Sequence, residues 1–125
     1  MADEPITFGL FGSTEGVETF AHGDVVFTAG ETGGRLYVVR SGEVVLEAGG
    51  RELECLGPGE MFGEMAVIDG SPRSATARAV GETTVVPVDG PRFHALIQHT
   101  PFFAENVMRL IARRLRRTTR AVSGG

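Results

Sequence analysis

The sequence predicts a mostly β, α+β chain in which an antiparallel sandwich or barrel comes first and two helices come last. Two observations carry this prediction. Short β-branched runs, each followed by a glycine-bearing turn, recur at spacings of roughly ten residues between Val25 and Val88. After Pro91 the hydrophobic period becomes that of a helix. The length of 125 residues fits one ordinary domain, residues 1–125.

The predicted strands are runs rich in β-branched residues, and glycines mark the turns between them. The runs are Val25–Thr28, Leu36–Val39, Val44–Leu46, Leu53–Leu56 and Thr83–Val86. The turns are Ala29–Gly34, Ser41-Gly42, Gly49-Gly50 and Gly57–Gly59. Glycine suits such turns because it adopts positive φ without steric cost.

Two helices are predicted over about residues 91–120, after a sheet at about 18–90. Pro91 suits the first turn of one helix, and Pro101 opens a longer one that runs to about Arg120. The longer helix carries an apolar stripe made of Val107, Ile111, Leu115, Thr118 and Val122, flanked by Met108 and Leu110. We expect this stripe either to cover the chain's own sheet or to pair with a second copy.

Composition narrows the classes of function. No stretch reaches the roughly 18–20 apolar residues of a membrane helix, and residues 1–12 lack the regions of a secretory signal. Cys55 is the sole cysteine, so an internal disulfide is excluded and a cytoplasmic location is expected. We expect Cys55 to be buried and inert. Residues 1–100 carry 15 acidic and 6 basic side chains, which disfavours a broad nucleic-acid surface there.

Catalytic and metal-binding patterns are missing from the sequence. It has no G-x-S-x-G motif, no P-loop and no pair of catalytic carboxylates. His22, His94 and His99 lack the spacing of a metal site and read as surface histidines. We therefore expect no enzyme, no metal and no cofactor.

One segment, residues 62–77, breaks the strand pattern and concentrates polar groups: FGEMAVIDGSPRSATA. Gly63 permits a close backbone approach, and the residues after it can form a short helix whose first amides attract an anion. Arg73 follows at a distance that lets it fold back and hold phosphate oxygens by forked hydrogen bonds, with Ser74 as a hydroxyl donor beside it. The Glu64 carboxylate can accept hydrogen bonds from the hydroxyls of a sugar. A ligand with one phosphate charge and a sugar therefore satisfies both Arg73 and Glu64.

This segment resembles the phosphate-binding cassette of the cyclic nucleotide-binding domain family, the type found in the catabolite activator protein and in the regulatory subunits of cAMP-dependent kinase. The match runs through Phe62-Gly63-Glu64 and Pro72-Arg73-Ser74-Ala75-Thr76, and with flanking glycines it covers about residues 18–120. The resemblance implies a β-roll in which Glu64 binds the ribose 2′-hydroxyl and Arg73 the cyclic phosphate. The implied ligand-binding residues in the cassette are Gly63, Glu64, Met65, Ala66, Arg73, Ser74 and Ala75.

The resemblance leaves open which nucleotide base is bound, and it leaves open other interpretations of the site residues. Thr118 and Thr119 match a Thr-Ser pair that contacts adenine at the end of the long helix in the catabolite activator protein; alternatively they are solvated or cap the helix. The expected ligand is cAMP, and cGMP stays open because a hydroxyl beside the arginine, here that of Ser74, can serve guanine in this family. For Glu64 and Arg73 the alternative is a surface ion pair, worth little by itself.

The expected function is a sensor module that transmits cyclic nucleotide binding through movement of the C-terminal helix. The alternatives are the excised ligand-binding domain of a larger transcription factor, kinase or channel, and an interaction scaffold that binds no ligand. We expect a homodimer through the helix at 101–122 and an unidentified downstream protein. No membrane association is expected, and no DNA binding by this chain alone, because DNA-binding relatives carry a helix-turn-helix module beyond this helix.

Overall fold

The structure, a computed structural model, describes residues 16–124, with side chains as far as Arg116. The strands are β1 (Glu18–Phe20), β2 (Val25–Phe27), β3 (Arg35–Ala48), β4 (Arg51–Leu56), β5 (Met61–Phe62) and β6 (Thr76–Asp89). The helices are α1 (Glu64–Asp69), α2 (Gly90–His99) and α3 (Pro101–Gly124). The predicted α+β order, with an antiparallel sheet before two helices, is confirmed.

The chain divides after Arg92 into a strand-rich unit and a helical unit, which are described separately. The single-domain organisation over residues 1–125 stays a prediction. Every pair among the described strands of the first unit is antiparallel, and β3 and β6 form the central pair, which extends from Arg35 opposite Asp89 to Glu47 opposite Thr76. The strands β1 and β2 pair with β6, while β4 and β5 pair with β3. The two long strands therefore hold the remaining strands in place.

The core of this unit is built around three aromatic rings. Phe27 from β2, Tyr37 from β3 and Phe62 from β5 lie with ring centroids 5.4–5.9 Å apart. Aliphatic side chains complete the cluster: Val39, Val44, Leu56, Ala77 and Val85. Burial of such side chains stabilises the fold by roughly 1.5–3 kcal/mol each. Because each ring comes from a different strand, the three rings also fix these strands relative to one another.

The predicted turn at Ser41-Gly42 is wrong, because both residues lie inside β3. The register with β6 shifts on both sides of Ser41, so the chain forms a bulge instead of reversing. Gly42 takes a φ of +83°, which a bulge can require as readily as a turn. The buried Thr83 hydroxyl donates a hydrogen bond to the Glu43 carbonyl at 3.0 Å. The same hydroxyl accepts a hydrogen bond from the Glu43 amide at 3.3 Å. One bent strand thus replaces the two short strands that the pattern predicted.

Cys55 is exposed, so the expectation that it is buried is wrong. It lies on β4, where successive side chains alternate between two faces of the sheet. Partial desolvation, and then the nearby carboxylates of Glu43 and Glu52, raise the pKa of the thiol above its ordinary value. A raised pKa lowers the thiolate fraction, which is consistent with the expected inertness.

Within the helical unit, an aromatic contact joins α2 to α3. Phe93 of α2 and Phe103 of α3 are buried and meet edge to face, with centroids 6.0 Å apart. On α3 the buried side chains continue with Val107 and Leu110, while Leu115 is 64% exposed. The predicted apolar stripe is therefore divided, because Val107 is buried and Leu115 is exposed.

The helix α3 is longer than predicted. It runs to Gly124, beyond the predicted end near Arg120. Among the helices of residues 16–124, none combines the length and the apolar character needed to cross a bilayer.

Candidate functional site

The polar segment after β5 folds as a short helix bounded by two glycines. Gly63 is the N-cap of α1, with φ +81°, and Gly70 is its C-cap, with φ +73°. The Gly70 amide donates to the Ala66 carbonyl at 3.1 Å. Both glycines take the left-handed conformation that other residues rarely adopt. Gly63 has no side chain to cap the first turn, and the amides of that turn have no acceptor within the helix, so they favour an anion.

The chain around Arg73 is held by the loop between β2 and β3. The Gly30 amide donates to the Arg73 carbonyl at 2.8 Å, and the Arg73 amide donates to the Glu31 carbonyl at 2.7 Å. The Ala29 amide donates to the Thr76 hydroxyl at 3.0 Å. These hydrogen bonds join segments far apart in the sequence, and they fix the position from which the Arg73 side chain extends.

The Arg73 side chain folds back to the start of α1, as predicted. Its Nη1 donates to the Gly63 carbonyl at 3.1 Å. Its Cζ lies 4.1 Å from the centre of the Phe27 ring and 5.9 Å from that of Tyr37. Burial lowers the pKa of Arg73, but the guanidinium stays a cation at neutral pH because arginine is a very strong base. The site therefore holds a positive charge that is 7% exposed, beside the helix terminus.

Glu64, the first residue of α1, is also buried, at 4% exposure. A carboxylate in the first turn of a helix is stabilised by the helix dipole. Because Glu64 and Arg73 are both buried, they do not fit the alternative of an exposed surface ion pair. A buried carboxylate and a buried guanidinium at one helix terminus can recognise a ligand that offers both a hydroxyl and an anionic oxygen.

The remaining predicted residues divide into three groups. Met65 and Ala66 lie in α1 directly after Glu64, with Met65 exposed and Ala66 buried. Ser74 and Ala75 follow Arg73 towards β6, and the Ser74 side chain is exposed. Thr118 and Thr119 lie outside the residues whose side chains the structure describes. Their contact with a base stays a prediction.

The sequence model described as Cyclic nucleotide-binding domain matches residues 17–100. The chain belongs to this family. The resemblance seen in the sequence is confirmed, and residues 62–76 are called the cassette from here on. The match includes the whole cassette and the strands that surround it.

Individual relatives agree with the family match. The cyclic AMP receptor protein of Thermus thermophilus is 43% identical over 102 residues, which are 78% of this chain and 47% of the relative. A CRP-like cAMP-activated global transcriptional regulator of Mycobacterium tuberculosis is 39% identical over 104 residues, 79% of this chain and 46% of the relative. The chain thus spans less than half the length of these two curated relatives.

A solved structure confirms the fold class. The crystal structure of the Thermus thermophilus catabolite activator protein is similar with a TM-score of 0.81 at 37% identity. The similarity covers 98% of this chain and 60% of that protein. The antiparallel β-roll expected from the resemblance is therefore the fold of this chain.

Sequence reasoning missed two contacts of Arg73. Phe27 reads as an ordinary core residue of a strand, and Gly33 reads as one glycine of a turn. In the structure the Phe27 ring lies under the guanidinium, and a Cβ built on Gly33 would lie 2.6 Å from Arg73 Nη2. No local pattern marks these contacts, because they join β2 and the β2–β3 loop to the cassette.

Proposed function

We propose that this chain is a regulatory module that binds a cyclic nucleotide, with cAMP as the preferred ligand and cGMP as the second candidate. The observation that carries the proposal is the buried Arg73 guanidinium hydrogen-bonded to Gly63 at the start of α1, within a family cassette. Both relatives described above are named for cAMP, which supports the order of the two candidates.

Each part of the ligand has a proposed partner. Arg73 pairs with the cyclic phosphate by charge-assisted hydrogen bonds, helped by the Ser74 hydroxyl and by amides of Gly63, Met65, Ala66 or Ala75. Glu64 accepts a hydrogen bond from the ribose 2′-hydroxyl. Thr118 and Thr119 are assigned to the base. Ser74 is exposed and follows Arg73 directly in the chain, and its hydroxyl is why cGMP is kept as a candidate. We propose no catalytic step, metal or cofactor.

Calorimetric titration with cAMP, cGMP and 5′-AMP tests the proposal. We expect tightest binding for cAMP and much weaker binding for 5′-AMP, because an acyclic monoester carries a second charge and lacks the ring. In a thermal melt, cAMP at a hundred times its dissociation constant adds about 2.7 kcal/mol to the free energy of unfolding. If neither cyclic nucleotide gives heat or a melting shift at millimolar concentration, the scaffold alternative replaces the proposal.

We further propose that binding is transmitted by a shift in the populations of two positions of α3, and that the module pairs with a second copy through the 101–122 helix. The support for pairing is a set of side chains at spacings of four, three and four: Ala104, Met108, Ile111 and Leu115. Alternating spacings of this kind make a coiled-coil seam. Met108 and Leu115 are 63% and 64% exposed, so their apolar surface is available to a partner helix.

Leu115→Asp is expected to convert the dimer into a monomer, because it places a charge in a helix seam. Sedimentation velocity measures the change. The matched control is Leu53→Asp, the same substitution at a leucine that is 52% exposed on β4, and it should leave the dimer intact. Unaltered protein that sediments as a monomer at about 100 μM, which corresponds to a dimer free energy weaker than about 5 kcal/mol, would contradict the pairing.

The relatives support a proposal for the setting of the module. We propose that it acts in the cytoplasm on an unidentified downstream protein, and that DNA binding is not a property of this chain alone. The chain spans less than half of the Mycobacterium tuberculosis relative, which is named as a transcriptional regulator. The second candidate is therefore that this chain is the ligand-binding domain of a larger transcription factor, kinase or channel. In that case too, the domain would bind the cyclic nucleotide.

A further inference from the structure

The guanidinium of Arg73 lies in a cradle formed by residues outside the cassette. The Phe27 ring centre is 4.1 Å from its Cζ. A Cβ built on Gly33 would lie 2.6 Å from Nη2, 3.1 Å from Cζ and 3.2 Å from Nε. The neighbouring Gly34 differs, because a Cβ there would meet no heavy atom within 4 Å. The space next to Gly33 is therefore already filled by the guanidinium.

We propose that Gly33 and Phe27 are positioning residues for Arg73, and that the missing side chain at position 33 is what lets the guanidinium stay ready for an anionic ligand. The inference rests on the proposed function, in which Arg73 binds the phosphate. A long flexible side chain loses rotamer freedom when it binds a ligand. A guanidinium that is already fixed loses less, so the cradle raises affinity without touching the ligand.

Phe27 contributes attraction as well as shape. The face of an aromatic ring is negative, and a cation within about 6 Å of its centre is attracted to it. The attraction is stronger away from water, and Arg73 is buried. The hydrogen bond from Nη1 to the Gly63 carbonyl then fixes the orientation of the guanidinium on that ring. Ring, glycine and carbonyl together define one position for the charge.

Gly33 allows affinity to be separated from stability. Its φ lies outside the left-handed region, so alanine fits the backbone there. The atoms that an added Cβ would meet belong to the far end of a flexible side chain, which can move away. Gly33→Ala should therefore displace the Arg73 guanidinium and leave the fold intact.

The test compares Gly33→Ala with Gly34→Ala in the full chain by calorimetric titration with cAMP. We expect about tenfold weaker binding for Gly33→Ala, equivalent to about 1.4 kcal/mol, and binding within about twofold of the unaltered protein for Gly34→Ala. Both variants should melt within about 2 °C of it. Phe27→Leu should weaken binding similarly, and Phe27→Tyr, which keeps a ring, should restore it.

A spectroscopic measurement separates positioning from a structural role. In the ligand-free protein the Nε–Hε signal of Arg73 should be shifted by the ring current of Phe27. Gly33→Ala and Phe27→Leu should move it towards the value of a free arginine, and Gly34→Ala should not. Equal affinity of the Gly33 and Gly34 variants, or lost affinity with an unmoved Arg73 signal, overturns the inference alone. Failure of the unaltered protein to bind any cyclic nucleotide overturns the proposed function as well.

Discussion

Replacing Arg73 by alanine is expected to weaken cAMP binding about 100- to 1000-fold. Removing one partner of a desolvated charge pair costs about 2–5 kcal/mol, and each factor of ten in affinity is 1.4 kcal/mol. Arg73 meets this description because it is a cation at 7% exposure, directed at the start of α1. Calorimetric titration measures the loss directly, with competition against a fluorescent cyclic nucleotide for the weakest variants.

The same variant also changes packing, which the sequence did not predict. In the structure the Arg73 side chain lies against the Phe27 ring, so alanine removes buried contacts too. Arg73→Met is the matched control, because it keeps an apolar stem without the charge. It should lose as much affinity as Arg73→Ala and less stability.

Glu64→Gln separates sugar recognition from phosphate recognition. It keeps the size of the side chain and removes the charge that accepts the 2′-hydroxyl bond, so we expect about tenfold weaker cAMP binding. With 2′-deoxy-cAMP the same substitution should have little effect.

If Arg73→Met bound cAMP within about threefold of the unaltered protein, the assignment of Arg73 to the phosphate would be wrong.

The cassette could be predicted from the sequence because its chemistry is local. Gly63 and Glu64 are adjacent, Arg73 lies ten positions beyond Gly63, and the turn residues between them allow few paths. The predicted return of Arg73 to the start of α1 is confirmed by its hydrogen bond with the Gly63 carbonyl. The family match confirms the class of ligand-binding domain. The partners of individual ligand atoms stay predictions.

The features that sequence reasoning missed depend on contacts between distant segments. Gly33 and Phe27 become notable only when the β2–β3 loop is bonded to the chain around Arg73. Likewise, the helical period of α3 places the apolar residues Val107 and Leu115 on one stripe. The period does not show which of the two is buried. Gly42 illustrates a third limit, because positive φ serves a turn and a bulge equally well.

Gly42→Ala is expected to lower the free energy of unfolding by about 3 kcal/mol, more than alanine at Gly33, Gly34 or Gly81. The residue has φ +83°, where a side chain is disfavoured by about 1–2 kcal/mol. In addition, an added Cβ would lie 2.5 Å from the Glu82 carbonyl oxygen and 2.8 Å from Thr83 Cα. These are backbone atoms of β6, and crowding in a packed interior costs typically about 1–3 kcal/mol. They cannot retreat without disturbing the pairing of β3 with β6.

Gly81→Ala isolates the crowding from the backbone strain. Gly81 also lies in β6 and has φ +73°, but a Cβ there would meet nothing within 4 Å. Its replacement should therefore cost only the conformational part, about 1 kcal/mol. Urea denaturation of both variants measures the difference, provided the slope with denaturant is unchanged. Equal losses would mean that the bulge relaxes around the new methyl group. A larger loss at Gly42 would show that the close approach of β3 and β6 at this bulge requires glycine.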